Sequence, residues 1–177
     1  MIMMTAEVFS IVFNRLLIKK VNPMLEVQQL APTFSVKNQH NQLVNLTDFA
    51  NTKNVVLYFY PKDDTPGCTI EANDFTRLAD QFSQYDTVVI GVSKDSCESH
   101  VDFINKYELK VILLADTDGS LCESYDVWRE KERNGVKSMG ILRSTFIINK
   151  QGVLTEVEYG VNHEGHAEAI LENIKHL

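Results

Sequence analysis

The sequence predicts an α/β fold, a central mixed sheet with helices on both faces, and three observations carry that expectation. Two uninterrupted apolar runs, NVVLYFY and TVVIGVS, have the length and the β-branched and aromatic content of strands covered on both sides. Segments with apolar residues at helical spacing lie between and after them. Near its end the chain has two strand-like pieces around a KQG turn, followed by a last helix.

Taken in order, TFSVKN and QLVNLTDF alternate around the polar turn QHNQ and predict an N-terminal β-hairpin. NVVLYFY is the first buried strand. Ala72, Phe75, Leu78, Ala79 and Phe82 then recur at helical spacing, predicting a helix from about Thr69 to Ser83. TVVIGVS is the second buried strand. SHVDFINKYEL presents Val101, Phe103, Ile104 and Tyr107 as a helical face, and KVILLAD is the third strand. SLCESYDV makes a short helix, and the charge-rich WREKERNGVK is expected to be a solvated loop, with Trp128 a core anchor at its start. RSTFIIN and LTEVEYG form the closing pair, and Ala167, Ile170, Leu171 and Ile174 the last helix. Strands alternating with helices require right-handed crossovers and a largely parallel sheet. With the antiparallel closing pair and terminal helix, the order is that of a thioredoxin-like fold.

The 177 residues suffice for one domain with a sizeable core. No internal repeat or low-complexity linker divides them. Residues 1–23 are expected to be an extension, either an upstream start or a weak amphipathic segment, and residues 24–177 the domain. In MIMMTAEVFSIVFNRLLIKKV the lysines follow the apolar part, the reverse of a signal peptide. The net charge of −7 argues against nucleic acid or an anionic membrane as partner. No run of about 18 uncharged apolar residues exists to span a membrane. Three cysteines, Cys68, Cys97 and Cys122, are too few and too dispersed for a secreted disulfide scaffold, so a reducing, cytoplasmic setting is expected. The absence of Cys-x-x-Cys removes the usual zinc knuckle and the usual dithiol signature.

The candidate chemistry lies in FYPKDDTPGCTIEANDF. Ligands gather beyond the carboxyl ends of strands in such sheets, and Cys68 falls there, in the first turn of the next helix. Unpaired N–H groups and the positive end of the helix dipole favour a thiolate at that place. Pro66 suits a helix start, and Gly67 lets a small ligand approach the backbone. The hydroxyl of Thr65 can cap the helix or donate to an oxygen bound beside the sulfur. Pro61 ends the strand and can close one side of the pocket. Alone, Cys68 would be as well explained as buried filler; these neighbours together favour a nucleophile.

The loop resembles the peroxidatic loop of the peroxiredoxins, whose pattern Pro-x-x-x-Thr-x-x-Cys is filled by Pro61, Thr65 and Cys68. TPGCTIEA, with LAPTFSV, VVIGVSKDSCESH, LLADTDGSLCESYDVW and SMGILRSTFIINKQG, is similar to the bacterioferritin comigratory protein, or Q-type, subfamily over residues 24–177. The resemblance implies that Arg143, in GILRSTFII, steadies the thiolate and aims the peroxide. It implies a thiol peroxidase acting on hydrogen peroxide and organic hydroperoxides through a sulfenic acid on Cys68, in antioxidant defence. No haem, flavin or metal is required. Thioredoxin, or glutaredoxin with glutathione, is the implied reductant, and a monomer or weak dimer the expected state.

The resemblance fails at the second thiol. Many members carry a resolving cysteine five residues after the first, where this chain has Asn73, and others carry it near the position of Ile104. Cys97 is the candidate substitute. It follows the second buried strand at a helix start, on the same sheet edge as Cys68, and could pair with it after local unwinding brings the Cα atoms within about 7 Å. Cys122 is expected to fill space. His163 and His166 open the last helix, where capping and surface polarity explain them better than a metal; His100 is expected to face solvent. Two rival functions remain, a thiol–disulfide oxidoreductase and a non-enzymatic redox sensor using the same cysteine.

Overall fold

In the computed structural model, which describes residues 24–177, the chain opens with a short antiparallel hairpin, β1 (Ser35–Lys37) and β2 (Leu43–Asn45). The second strand is shorter than QLVNLTDF suggests. The Asp48 carboxylate accepts the Asn45 N–H at 2.8 Å and closes a 3-10 turn over Leu46–Phe49. The expectations for residues 1–23 lie outside the described residues.

β3 (Asn54–Phe59) follows, then α1 (Pro66–Arg77), α2 (Ala79–Gln84), β4 (Thr87–Ser93), α3 (Cys97–Tyr107), β5 (Ile112–Ala115) and α4 (Ser120–Ser124). β6 (Trp128–Arg133), β7 (Val136–Ile141), β8 (Ser144–Ile148), β9 (Leu154–Tyr159) and α5 (His166–Ile174) complete the chain. The central sheet has the order β5-β4-β3-β8-β9, with β3, β4 and β5 parallel and β8 and β9 antiparallel to their neighbours. This is the thioredoxin-like arrangement the element order predicts.

Period-two alternation along β3 sorts the core into two layers. Val56 and Tyr58 face a cluster with Phe75 of α1, Phe82 of α2, Phe103 of α3 and Ile170 of α5. Val55, Leu57 and Phe59 face the other, with Leu121, Tyr125, Phe146 and Leu154. There Phe146 packs against Phe59, Tyr125 and Tyr159 with ring centroids 5.7, 5.0 and 5.4 Å away. Each such pair contributes about 0.5–1.5 kcal/mol beyond its area burial. Gly91 of β4 is required by close approach: a Cβ there would lie 2.7 Å from the Tyr58 ring and 2.8 Å from Leu113.

Three local expectations need correction. The helix expected from Thr69 to Ser83 starts earlier, at Pro66, and breaks at Leu78 (φ −95°, ψ 2°). The break brings Phe75 and Phe82 to 5.8 Å of each other in one cluster. WREKERNGVK is not a loop but most of the β6–β7 hairpin, turned by Asn134 and Gly135, both at positive φ (52° and 77°), as a tight hairpin demands. His100 and His166 are buried rather than solvent-facing. The ring of His166 meets the Thr145 hydroxyl at 2.8 Å, and burial pulls its imidazole below the ordinary range. Among the described residues no helix is long and apolar enough to cross a membrane.

Candidate active site

The site grows from the carboxyl end of β3. Tyr60 extends the strand by one bond, N–H to the Val92 carbonyl at 3.1 Å, and Pro61, exposed at the surface, ends it. The loop then turns through Asp64, which takes the left-handed conformation (φ 56°). Thr65 is extended (φ −93°, ψ 154°) and Pro66 occupies the first helical position. The first intrahelical bond runs from the Thr69 N–H to the Thr65 carbonyl at 2.9 Å. The amides of Gly67 and Cys68 precede it and remain free donors for a ligand. Thr65 departs from both expected roles: its hydroxyl donates to the Lys62 carbonyl at 2.9 Å, so it makes no side-chain cap and its one O–H is not turned toward a ligand oxygen.

Cys68 is only 2% exposed. Arg143, immediately before β8, reaches it from across the sheet, with Nη2 donating to Sγ at 3.2 Å. Its Nη1 donates to Oε2 of Glu71, which lies one helical turn beyond Cys68 and is fully buried. Burial pushes the Glu71 carboxyl up to about 7, even though Arg143 pulls it down. Burial also opposes the Arg143 charge, but Glu71 and then Cys68 outweigh it and raise the guanidinium further. The backbone of Arg143 is held by the Val161 N–H, which donates to its carbonyl at 2.9 Å. Behind the site, the Tyr58 hydroxyl and Glu71 Oε1 are buried without a hydrogen-bond partner.

The mouth has two further walls. The His163 ring lies over Gly67, with Nδ1 3.0 Å from where a Cβ would sit, and Arg143 Nη2 is 3.5 Å from the same point. Gly67 therefore lets the His163 ring approach the backbone closely. On the β6 side, Lys131 is drawn below the ordinary lysine range by burial and then by the charge of Arg143. His163 stood out in the sequence only as a capping or surface residue, and neither Lys131 nor Glu71 stood out at all. Glu71 left a signal, since it precedes Phe75 by four residues and so falls on the apolar face of the helix.

The structure brings Arg143 to Cys68, with Thr65 at the head of the same helix, and places Cys97 at the start of another helix. Cys97 starts α3, whose N-cap Ser96 accepts the Ser99 N–H at 3.2 Å. It is half-buried and lines an open cleft of about 670 Å³ with Val36, Ala115 and Asp116, away from the residues that surround Cys68. Cys68, Cys97 and Cys122 are all free thiols. Cys122 is fully buried, and burial followed by the neighbouring Asp116 pushes its thiol far up. Among the described residues no group of three or more His, Cys, Asp or Glu side chains is arranged to hold a metal ion. A thiol faced by a fixed cation and free amides can attack an electrophilic oxygen and stabilise the oxygen that leaves.

Comparison with known proteins follows this chemistry. The AhpC/TSA family model matches residues 27–157. A putative peroxiredoxin bcp of Helicobacter pylori is 48% identical over 150 residues, covering 85% of this chain and 98% of that protein. The peroxiredoxin Bcp of Bacillus subtilis is 43% identical over 153 residues, covering 86% and 97%. A solved structure of the Xanthomonas campestris bacterioferritin comigratory protein, concerned with its alkyl peroxide reduction activity, superposes with a TM-score of 0.76. It is 36% identical and covers 81% of this chain and 90% of that one.

Proposed function

The chain belongs to the AhpC/TSA family and is a thiol peroxidase of the peroxiredoxin Bcp kind, and we propose that Cys68 is its peroxidatic nucleophile within residues 24–177. The contact between Arg143 Nη2 and Cys68 Sγ carries the assignment. A guanidinium held by a buried carboxylate has a fixed orientation and a permanent charge, suited to steadying a thiolate and orienting a dioxygen ligand.

In the first step the Cys68 thiolate attacks one peroxide oxygen and the O–O bond breaks. Sulfur is oxidised to the sulfenic acid, and the departing oxygen takes a proton and leaves as water or an alcohol. Arg143 and the Gly67 and Cys68 amides stabilise charge on that oxygen. Thr65 holds the loop turn through Lys62, and its hydroxyl oxygen is free to accept from the peroxide. Pro61 ends the strand so that the loop can fold over the site. The contacts concentrate on the two oxygens, so hydrogen peroxide and organic hydroperoxides both serve as substrates. No cofactor enters this step.

Cys97 is the resolving thiol in this reading. It attacks the sulfenic acid and expels water to give a Cys68–Cys97 disulfide, which a thiol reductant such as thioredoxin, or glutaredoxin with glutathione, then reopens. The two cysteines occupy first turns of helices that follow adjacent parallel strands, so unwinding the start of α1 carries one toward the other. We place the protein in the cytoplasm as a monomer or weak dimer. Intact mass after one equivalent of peroxide tests both assignments. Wild type is expected to lose two hydrogens, and Cys97→Ser to gain one oxygen. A wild-type gain of one oxygen with unchanged thioredoxin turnover in Cys97→Ser would remove Cys97 from the cycle, and oxidation persisting in Cys68→Ser would remove Cys68.

A further inference from the structure

His100 is a fully buried titratable group that the peroxide chemistry above does not use. Its Nδ1 lies 2.8 Å from Asp63 Oδ2, and its Nε2 lies 3.1 Å from the Leu114 carbonyl. Asp63, itself buried, sits in the loop between Pro61 and Thr65 and collects two more donors, the Tyr60 hydroxyl at 2.5 Å and the Ser99 hydroxyl at 2.8 Å. Its own N–H donates to Asp95 Oδ2 at 2.8 Å, at the end of β4. The next residue, Asp64, is held by the same helix α3, through Lys106 Nζ at 2.7 Å and the Tyr107 hydroxyl at 2.6 Å. Four side chains of one helix thus grip two consecutive loop carboxylates.

We propose that His100 is a positioning residue for peroxide attack, acting through Asp63 on the turn that carries Thr65 and starts α1. The connection is short. Asp63 follows Lys62, whose carbonyl receives the Thr65 hydroxyl, and Thr65 supplies the acceptor for the first helical bond before Cys68. A shift of Asp63 therefore moves the Lys62 carbonyl, the Thr65 hydroxyl and the free amides together. The exposed Asp64 contacts are screened by water, so the bonds to the buried Asp63 carboxylate, that of His100 among them, bear most of the load. The bond of His100 to Asp63, rather than its bond to Leu114 or the volume of its ring, is the part that matters for the reaction.

Two substitutions separate these roles. The amide nitrogen of His100→Asn falls near the position of Nδ1 and keeps the Asp63 bond, whereas that of His100→Gln falls near Nε2 and keeps the Leu114 bond. The readouts are the second-order rate of Cys68 oxidation by hydrogen peroxide and the rate of Cys68 alkylation by iodoacetamide. The peroxide rate is expected to rank wild type, then Asn, then Gln, with a loss of about tenfold or more in His100→Gln and no slowing of alkylation. A Gln variant as fast as or faster than the Asn variant, or peroxide and alkylation rates falling together, overturns the proposal. Should neither His100 variant fold, the near-isosteric Asp63→Asn decides. The same selective loss of peroxide rate supports the role, and a wild-type peroxide rate refutes it.

Discussion

Glu71→Gln isolates a buried charge that is costly to hold. Glu71 is fully buried, one oxygen is bound by Arg143, the other has no partner, and the carboxyl is raised to about 7 from 4.5. A carboxyl with a raised folded value binds its proton more tightly in the folded state than in the unfolded one. The folded state therefore loses stability as pH rises through the window from 4.5 to about 7. The full penalty above that window is on the order of 3 kcal/mol, and integrating between about pH 5.5 and about pH 8.5 leaves about 2 kcal/mol. Gln keeps the shape and the acceptor for Arg143 but cannot ionise. Relative to wild type, Glu71→Gln should gain about 2 kcal/mol between those two pH values in urea unfolding. Pairing the two proteins at each pH cancels the other titrating groups, including Glu156, which burial also raises to about 7. Parallel pH profiles for the two proteins would refute the argument, because they would mean that Glu71 is not charged at a cost.

Arg143→Gln should lower the second-order rate with hydrogen peroxide by about a hundredfold to a thousandfold, the usual loss when a donor aimed at developing charge is removed. Competition against a peroxide reporter measures it, and a loss smaller than about threefold would show that the amides suffice. Gly67→Ala places a methyl 3.0 Å from His163 Nδ1, so the ring must give way, while Arg143 Nη2 at 3.5 Å stays at ordinary contact distance. The peroxide rate should fall by roughly tenfold, and Gly67→Ala with His163→Ala should recover most of it. A double variant no faster than the single one would show that the ring is not the obstacle.

Much of this architecture is local and therefore legible. Strand and helix positions follow from apolar periodicity, and the start of α1 from Thr65, Pro66 and Gly67, because such signals act within a few residues of the chain. Cys68 was recognisable because those signals converge on it. Other features were present in the sequence but ambiguous. His100 stands with Phe103, Ile104 and Tyr107 on one helical stripe, yet its polarity suggests the solvent side. In β6 and β7 most positions are polar on both faces, so only Asn134-Gly135 marked the hairpin.

The remaining features exist only in three dimensions. Arg143 and Cys68 are 75 residues apart, and no local pattern says that the loop before β8 reaches the first turn of α1; the sequence pointed to Arg143 only by resemblance. Glu71 carries a costly charge because the core closes over it, and His100 finds Asp63 37 residues away because β3 and β4 are adjacent and parallel. Cys97 shares the sheet edge with Cys68 as its position in the sequence suggests, but lines a cleft that Cys68 does not line. The sequence alone determined most of the secondary elements and pointed to Cys68 as the candidate nucleophile, since backbone preference and hydrophobic period are properties of neighbouring residues. Tertiary structure decided which cation faces the thiol and which carboxylates are buried, since desolvation and charge pairing depend on what the rest of the chain packs against them.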